Sequence, residues 1–366
     1  MDIIHIVLGK ANPDRMNGVN KVVHQLATKQ AASNRNVEVW GITEDLTHNY
    51  AQRNFKTQLF KKSKNPFAIS KDLKKAIKHS KNATFHLHGG WVPTFWAVAK
   101  SLKKYDKKSV LTPHGAYNTI AMKAGGLKKK FYFQLFEKTV LKTVNKVHCI
   151  GASEKEGLET IYKNDKQIIL PYGFNFPKIA YTDKAKSSSF VIGFVGRIDI
   201  HTKGLDLLTE AFAKFKQGKN TKLWIVGDGT EMPNLKSRVD ALDITKDTTL
   251  FGSKFGVDKN NLIQQMDVFT HPSRNEGLPT AVLEAASFGV PSIVTEATNV
   301  GRYLSMYKAG FATANEDVDA LTNALEKVYN EWQNNAIDHY KERTQIMLDQ
   351  EFNWDKLVYK YDELYA

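Results

Sequence analysis

Short apolar runs alternate with helical stretches along this chain, break off at a polar segment, and then begin again. Ile3–Leu8, Val37–Ile42, Ala83–Leu87, Ser109–Leu111 and Lys146–Ile150 read as strands before the break. Phe190–Val195, Lys222–Val226, Thr248–Phe251, Val268–Thr270 and Ser292–Thr295 read as strands after it. Helical stretches such as Val19–Ala32, Leu205–Phe215 and Pro279–Phe288 lie between them. Continuous apolar strands separated by helices build parallel sheets covered on both faces. The pattern therefore predicts an α/β chain of two Rossmann-like domains, residues 1–183 and 189–351, whose parallel sheets face each other across a cleft. The polar stretch Asp183–Ser189 reads as the linker, and the aromatic-rich tail 352–366 as a terminal helix docking on the second domain.

Composition narrows the function classes. With 366 residues, 20 Phe, 14 Tyr and 6 Trp, the chain is not low-complexity, and each half can bury a core. A single cysteine, Cys149, excludes a disulfide scaffold and a cysteine-ligated zinc site, and is compatible with a reducing compartment. No apolar run approaches ~18 residues, so no transmembrane helix is expected. Met1–Leu8 lacks the pattern of a signal peptide, so the cytoplasm is the expected location.

The net charge of +14 is unevenly placed. Residues 1–185 hold 32 Lys and Arg against 13 Asp and Glu, a net of +19, and residues 186–366 hold 20 against 25, a net of −5. A basic half joined to a mildly acidic one points to one domain meeting an anionic surface or substrate.

Two clusters in the second half carry chemistry. In Arg274-Asn275-Glu276-Gly277-Leu278-Pro279-Thr280, Pro279 suits the first helical turn, Gly277 admits close backbone approach, and the helix start favours an anion. Glu284 follows on the face of Thr280 among apolar neighbours and needs a partner, either ligand hydroxyls, a structural Arg or a backbone amide. In Gly193–Asp199 a buried strand ends in Gly196, with Arg197 in the loop beyond and Lys203 at the expected start of the next helix. Two cations and a helix N-terminus suit a diphosphate clamp; two ordinary surface cations on a solvated loop are the alternative. Gly227 and Gly252 end further strands as simple turns.

The first half offers Gly18, in the loop Arg15–Asn20 at a helix start, where a ligand could approach. Alternation puts His86 and His88 on one strand face, and His114 follows Thr112-Pro113. Metal binding lacks supporting carboxylates, and histidines at strand ends beside glycine are better placed to touch a substrate. In Leu127–Lys138, Phe131, Leu135 and Lys138 share one helical face beside clustered lysines. Such a helix either lies on anionic lipid or faces the core with a solvated end.

Taken in order, Thr112–Gly115, Pro171–Asn175, Gly196–Asp199 with Lys203-Gly204, Val226–Gly229, and Glu276–Pro279 with Glu284 at E-x7-E spacing resemble the family 4 retaining glycosyltransferases of the GT-B fold, glycosyltransferase group 1. The resemblance spans essentially the whole chain. It implies that Arg197 and Lys203 hold the donor diphosphate as leaving group and that Glu284 binds the ribose hydroxyls. Glu276 and the amides of Gly277 and Leu278 would contact the transferred sugar or its phosphate. His114 would line the reaction centre from the acceptor domain, while Gly18, Gly196 and Gly227 would lie along the donor. It also implies metal independence, a nucleotide-sugar as substrate with no separate cofactor, and a tail 352–366 that crosses back onto the first domain. Family members often carry a double glycine where this chain has Asn17-Gly18, and the segment Thr295–Gly301 lacks the usual glycine-rich turn and glutamate.

Retention by double displacement would need a carboxylate beneath the anomeric carbon, and no residue fills that role. The family resemblance implies same-face attack, with the leaving phosphate assisting acceptor deprotonation. The reading is transfer of a sugar to a glycan or lipid-linked acceptor in capsular, cell-envelope or exopolysaccharide synthesis, with peripheral contact of the basic domain with an anionic membrane. A GT-B nucleotide-sugar epimerase and a basic nucleic-acid-binding protein are the alternatives; the second would bind with steep salt dependence.

Overall fold

Among the described residues, thirteen strands fall into two all-parallel sheets. In the computed structural model, which describes residues 2–12, 18–123, 126–175 and 188–366, the chain divides into two compact units. The first comprises Met1–Gly173 with Trp354–Ala366, and the second is Phe174–Asn353.

The first unit holds β1 (Asp2–Leu8), β2 (Asn36–Thr43), β3 (Lys56–Lys61), β4 (Ala83–His88), β5 (Ser109–Thr112), β6 (Lys146–Cys149) and β7 (Gln167–Ile169). Their order is β3-β2-β1-β4-β5-β6-β7, so the winding reverses between β1 and β4. The second unit holds β8 (Phe190–Val195), β9 (Thr221–Val226), β10 (Thr248–Leu250), β11 (Val268–His271), β12 (Ser292–Thr295) and β13 (Gly310–Thr313). Here the order β10-β9-β8-β11-β12-β13 reverses between β8 and β11. Both are doubly wound sheets, the Rossmann-like architecture that the alternation predicts, and ligands of such sheets bind beyond the strand ends where the winding reverses.

The central strands are apolar because helices cover both their faces; every residue of Phe190–Val195 is buried. The strands absent from the sequence reading are β3, β7 and β13. These lie at or near sheet edges, are short or lysine-flanked, and carry half-exposed residues.

The tail departs from the reading as a helix docked on the second domain. Phe352 is buried in the second unit, whereas Trp354, Leu357, Tyr361, Leu364 and Tyr365 are buried with Ile3, Leu26, Val110 and Leu170 of the first. The return implied by the family resemblance therefore begins at Trp354 and not at 352. Arg35 grips Asp362 through two nitrogens, Nε at 2.7 Å, and Lys29 meets Asp355 at 2.9 Å. Each fully buried large apolar side chain contributes roughly 1.5–3 kcal/mol as an upper estimate, so the returning segment is integral to the first unit.

Leu127–Lys138 is also rearranged. An α-helix from Gly126 passes through a wider π-turn at Phe133–Glu137, and Phe133 and Glu137 are the buried residues. Phe131 is 70% and Leu135 47% exposed, so the face they share is not a core face. Among the described residues no helix is long and apolar enough to cross a membrane. The expected linker lies largely outside the described residues, with only Ser188 and Ser189 preceding β8; Arg15–Asn17 of the first loop also lie outside them.

Candidate active site

The loops following β8 and β11 lock together in the second unit. After Gly196, Asp199 caps a four-residue helix, Ile200–Lys203, by accepting the Thr202 amide at 3.0 Å. Gly204 ends it at φ +65°, and a Cβ there would collide with the Pro272 carbonyl oxygen, so only glycine fits. The β11 loop is tied to this helix by Ser273 Oγ and the Arg274 amide, which donate to the Thr202 carbonyl at 2.7 and 2.9 Å. Lys203 thus closes a short helix instead of opening Leu205–Phe215, which corrects the expectation.

That lock brings Lys203 onto Glu276. Glu276 Oε1 accepts from Lys203 Nζ, from His271 Nε2 at 3.1 Å and from Ser273 Oγ at 3.4 Å. Burial works against its ionisation, but the bonds and charges of His271 and Lys203 prevail and hold its carboxyl down at about 2. His271 stacks on Phe194, and its Nδ1 is buried with no hydrogen-bond partner among the described residues. Asn299 Nδ2 donates to the carbonyls of Glu276 at 3.1 Å and Gly277 at 2.8 Å, which fixes the loop on which Gly277 and Leu278 ride. Asn299 sits in the segment that departs from the family pattern, so that departure has a structural use here.

Glu284 lies on the helix Thr280–Ser287 and accepts from Lys259 Nζ at 2.7 Å. Its partner in the fold is neither an Arg nor a backbone amide but this lysine. Arg197, 70% exposed, pairs with Asp199 at 3.0 Å. Arg274, nearly buried, bridges Asp206 (2.7 and 2.9 Å) and Glu316 (2.5 and 2.7 Å), and its partners hold its proton more firmly than usual. Gly227, at φ +145°, packs where a Cβ would strike the Gly196 carbonyl, which brings the turns after β8 and β9 together.

Of the residues singled out in the sequence, Gly196, Arg197, Lys203, Gly227, Glu276, Gly277, Leu278 and Glu284 belong to the second unit, and Gly18 and His114 to the first. Gly18 opens the helix Gly18–Ala32, exposed, with open space where a side chain would stand. Lys259, His271 and Asn299 went unread, because no local spacing links them to the residues they hold.

His114 sits at φ +57°, with Nε2 2.9 Å from His88 Nδ1 and Nδ1 2.5 Å from Tyr172 Oη. Both nitrogens are engaged, and burial, reinforced by His148, lowers its pKa to about 3. His86 and His88 do share a face, but it is interior: His86 meets Thr112 Oγ1 at 2.6 Å and Tyr365 Oη at 2.9 Å, and His88 Nε2 meets His5 Nδ1 at 2.9 Å. The reading of these two as substrate-touching is corrected. Nitrogens of His5, His86 and His88 lie within 4.8 Å of one another, but protein partners take them up.

The second unit thus gathers cations and carboxylates in the loops beyond β8 and β11 of a doubly wound sheet. The family model for glycosyl transferases group 1 matches residues 178–346, and that for glycosyltransferase family 4 matches residues 16–175. The capsular polysaccharide biosynthesis glycosyltransferase CapM of Staphylococcus aureus is 27% identical over 64% of this chain and 66% of its own, just under two thirds of that relative. The UDP-Gal:alpha-D-GlcNAc-diphosphoundecaprenol alpha-1,3-galactosyltransferase of Escherichia coli is 28% identical over 71% of each chain. The crystal structure of HepE from Anabaena in complex with UDP superposes with a TM-score of 0.74 at 13% identity, covering 99% of both chains, and shows the shared GT-B fold. The chain belongs to the group 1, family 4 glycosyltransferases and is a glycosyltransferase.

Proposed function

We propose that this glycosyltransferase moves a hexose from a nucleoside-diphosphate sugar to a glycan or lipid-linked acceptor, with retention, in capsular, cell-envelope or exopolysaccharide synthesis. The observation that carries the reading is the Lys203–Glu276–His271 cluster beyond β8 and β11. A diphosphate would replace Glu276 as the counter-charge of Lys203, with Arg197 as the second cation, and Glu276 would turn to the sugar with the amides of Gly277 and Leu278. Glu284 would exchange Lys259 for ribose hydroxyls. Gly18, Gly196 and Gly227 would admit the donor closely, and His114 would line the reaction centre as a neutral, held ring and not as a proton acceptor.

Two side-chain cations supply the charge compensation that a departing diphosphate needs, so the proposed reaction uses neither metal nor cofactor. With Lys203 on the diphosphate, Glu276 would keep its bond to His271, which does not suit a free nucleophile; same-face attack, with catalysis by positioning and electrostatics, is the mechanism we favour. A uridine base is supported by the UDP-Gal in the name of the E. coli relative. The basic first half, with exposed Lys128, Lys130 and Phe131, suits an anionic acceptor or the lipid surface that carries it, at the inner face of a membrane. No finding favours an epimerase or a nucleic-acid-binding protein.

A thermal-shift comparison of UDP, GDP and ADP, followed by sugar transfer in EDTA, tests this. The expected result is stabilisation by UDP at micromolar levels and undiminished turnover in EDTA. A shift with no nucleotide overturns the donor site, and abolition by EDTA overturns the metal-free reading.

A further inference from the structure

Ten groups of the first unit form one unbroken line of hydrogen bonds that the transfer reaction does not account for. It runs Tyr172, His114, His88, His5, Gln30, Tyr365, His86, Thr112, His148 and the carbonyl of Leu170, each link between 2.5 and 2.9 Å. The line crosses from β1 to β4 at the winding reversal, and it takes in Tyr365 from the returning segment.

Its direction can be worked out from one end. A carbonyl only accepts, so His148 Nε2–H donates to Leu170, and His148 Nδ1 must accept from the Thr112 hydroxyl. Thr112 has then spent its proton and accepts from His86 Nε2–H, which leaves His86 Nδ1 to accept from the Tyr365 hydroxyl. Tyr365 accepts from the Gln30 amide, and Gln30 Oε1 accepts from His5 Nε2–H. His5 Nδ1 therefore accepts from His88, His88 Nδ1 from His114, and His114 Nδ1 from the Tyr172 hydroxyl. With burial keeping each imidazole neutral, every one donates through Nε2 and accepts at Nδ1.

We infer that this line, anchored at Leu170, holds His114 in a single tautomer, and that Tyr365 is the positioning residue through which the returning segment does so. Its bearing on catalysis rests on the role proposed above for His114; the tautomers do not. The line ends on a carbonyl, which cannot take up a proton, so it orients His114 and does not conduct. A metal at His5, His86 and His88 would need lone pairs that are already spent, His5 Nδ1 on His88 and His86 Nδ1 on Tyr365.

Long-range ¹H–¹⁵N correlation on histidine-labelled protein at neutral pH, with signals assigned by single-histidine variants, reads the tautomers directly. The expected wild-type result is the neutral Nε2–H form at all five histidines. A charged or Nδ1–H ring at His114, or stoichiometric zinc in the purified protein, overturns the inference. Tyr365→Phe cuts the line in two and frees the Gln30 amide to turn over. His148 is then expected to keep its form, while His5, His88 and His114 populate both tautomers and kcat falls several-fold at unchanged donor KM. An unaltered single tautomer at His114 in that variant overturns the role of Tyr365. Should the variant fail to fold, the wild-type spectrum still decides the direction of the line.

Discussion

The two units reverse their winding in the same way and fill the place of reversal with opposite chemistry. Between β1 and β4 the polar groups are neutral, buried and bonded to one another in sequence. Beyond β8 and β11 they are charged and only partly buried: Lys203 with Glu276, Lys259 with Glu284, Arg197 with Asp199. A neutral line whose groups are bonded to one another has no charge to trade with a ligand and serves to hold its members in place. Ion pairs at a loop surface can trade one partner for another, because a diphosphate or a sugar hydroxyl substitutes for what it displaces. Shared topology marks where polar groups collect; their charge and exposure decide whether they are for binding.

Mild acid should separate the units most strongly. The five histidines have folded pKa values below the ordinary 6.5, about 4 for His5 and His148 and about 3 for His114, because burial disfavours the charged ring. The unfolded chain binds those protons first, so stability is lost as pH falls below 6.5. Glu137 and Glu154, pushed up to about 7 by burial, act oppositely between pH 7 and 4.5. Five against two leaves up to three protons, each about 1.4 kcal/mol per pH unit. In the second unit Glu276 loses its contribution only as pH drops from 4.5 through about 2. Hydrogen exchange at pH 5 should therefore show the first unit opening first, and simultaneous loss of protection would break the contrast.

Lys203→Ala should lower turnover by about 10²–10³-fold, the scale of removing one preorganised donor, with little change in melting temperature. Wild-type turnover would remove Lys203 from the chemistry. Arg274→Met should cost about 2 kcal/mol in urea unfolding: breaking a buried pair costs more, but Glu316 is 59% exposed and discounts the loss. A change in turnover without one in stability would move Arg274 from scaffold to site. The smallest effect concerns the basic surface. Lys128→Ser with Lys130→Ser should weaken flotation with anionic vesicles about five-fold per lysine at low salt, and Phe131→Ser further. Wild-type protein that never floats would confine the basic half to a soluble acceptor.

Both sheets were legible, since apolar runs and glycine-ended strands are local signals, and eight of the ten residues singled out fall in one unit. What went unread depends on register or on distant partners. His5 looked like one polar residue in a strand; its role follows from the β1–β4 register, which sets it opposite His86. His271 faces Glu276 only because β11 ends beside its own loop. Lys259 meets Glu284 across 25 positions with no motif between them. Lys203 was placed on the wrong helix because the left-handed turn at Gly204 leaves no periodicity to read. Of the two readings of Phe131 and Leu135, their exposure sets aside the core face, because the π-turn Phe133–Glu137 turns Phe133 and Glu137 inward instead.

The returning segment has a consequence for how the molecule is made. The second unit is one uninterrupted stretch, Phe174–Asn353, whereas the first takes its strands and most of its helices from before that stretch and its last two short helices from after it. On the ribosome the unit begun first is therefore finished second. Until Trp354 and its neighbours emerge, Ile3, Leu26 and Val110 lack the cover those side chains give, and the first domain cannot complete its core before the second has been synthesised.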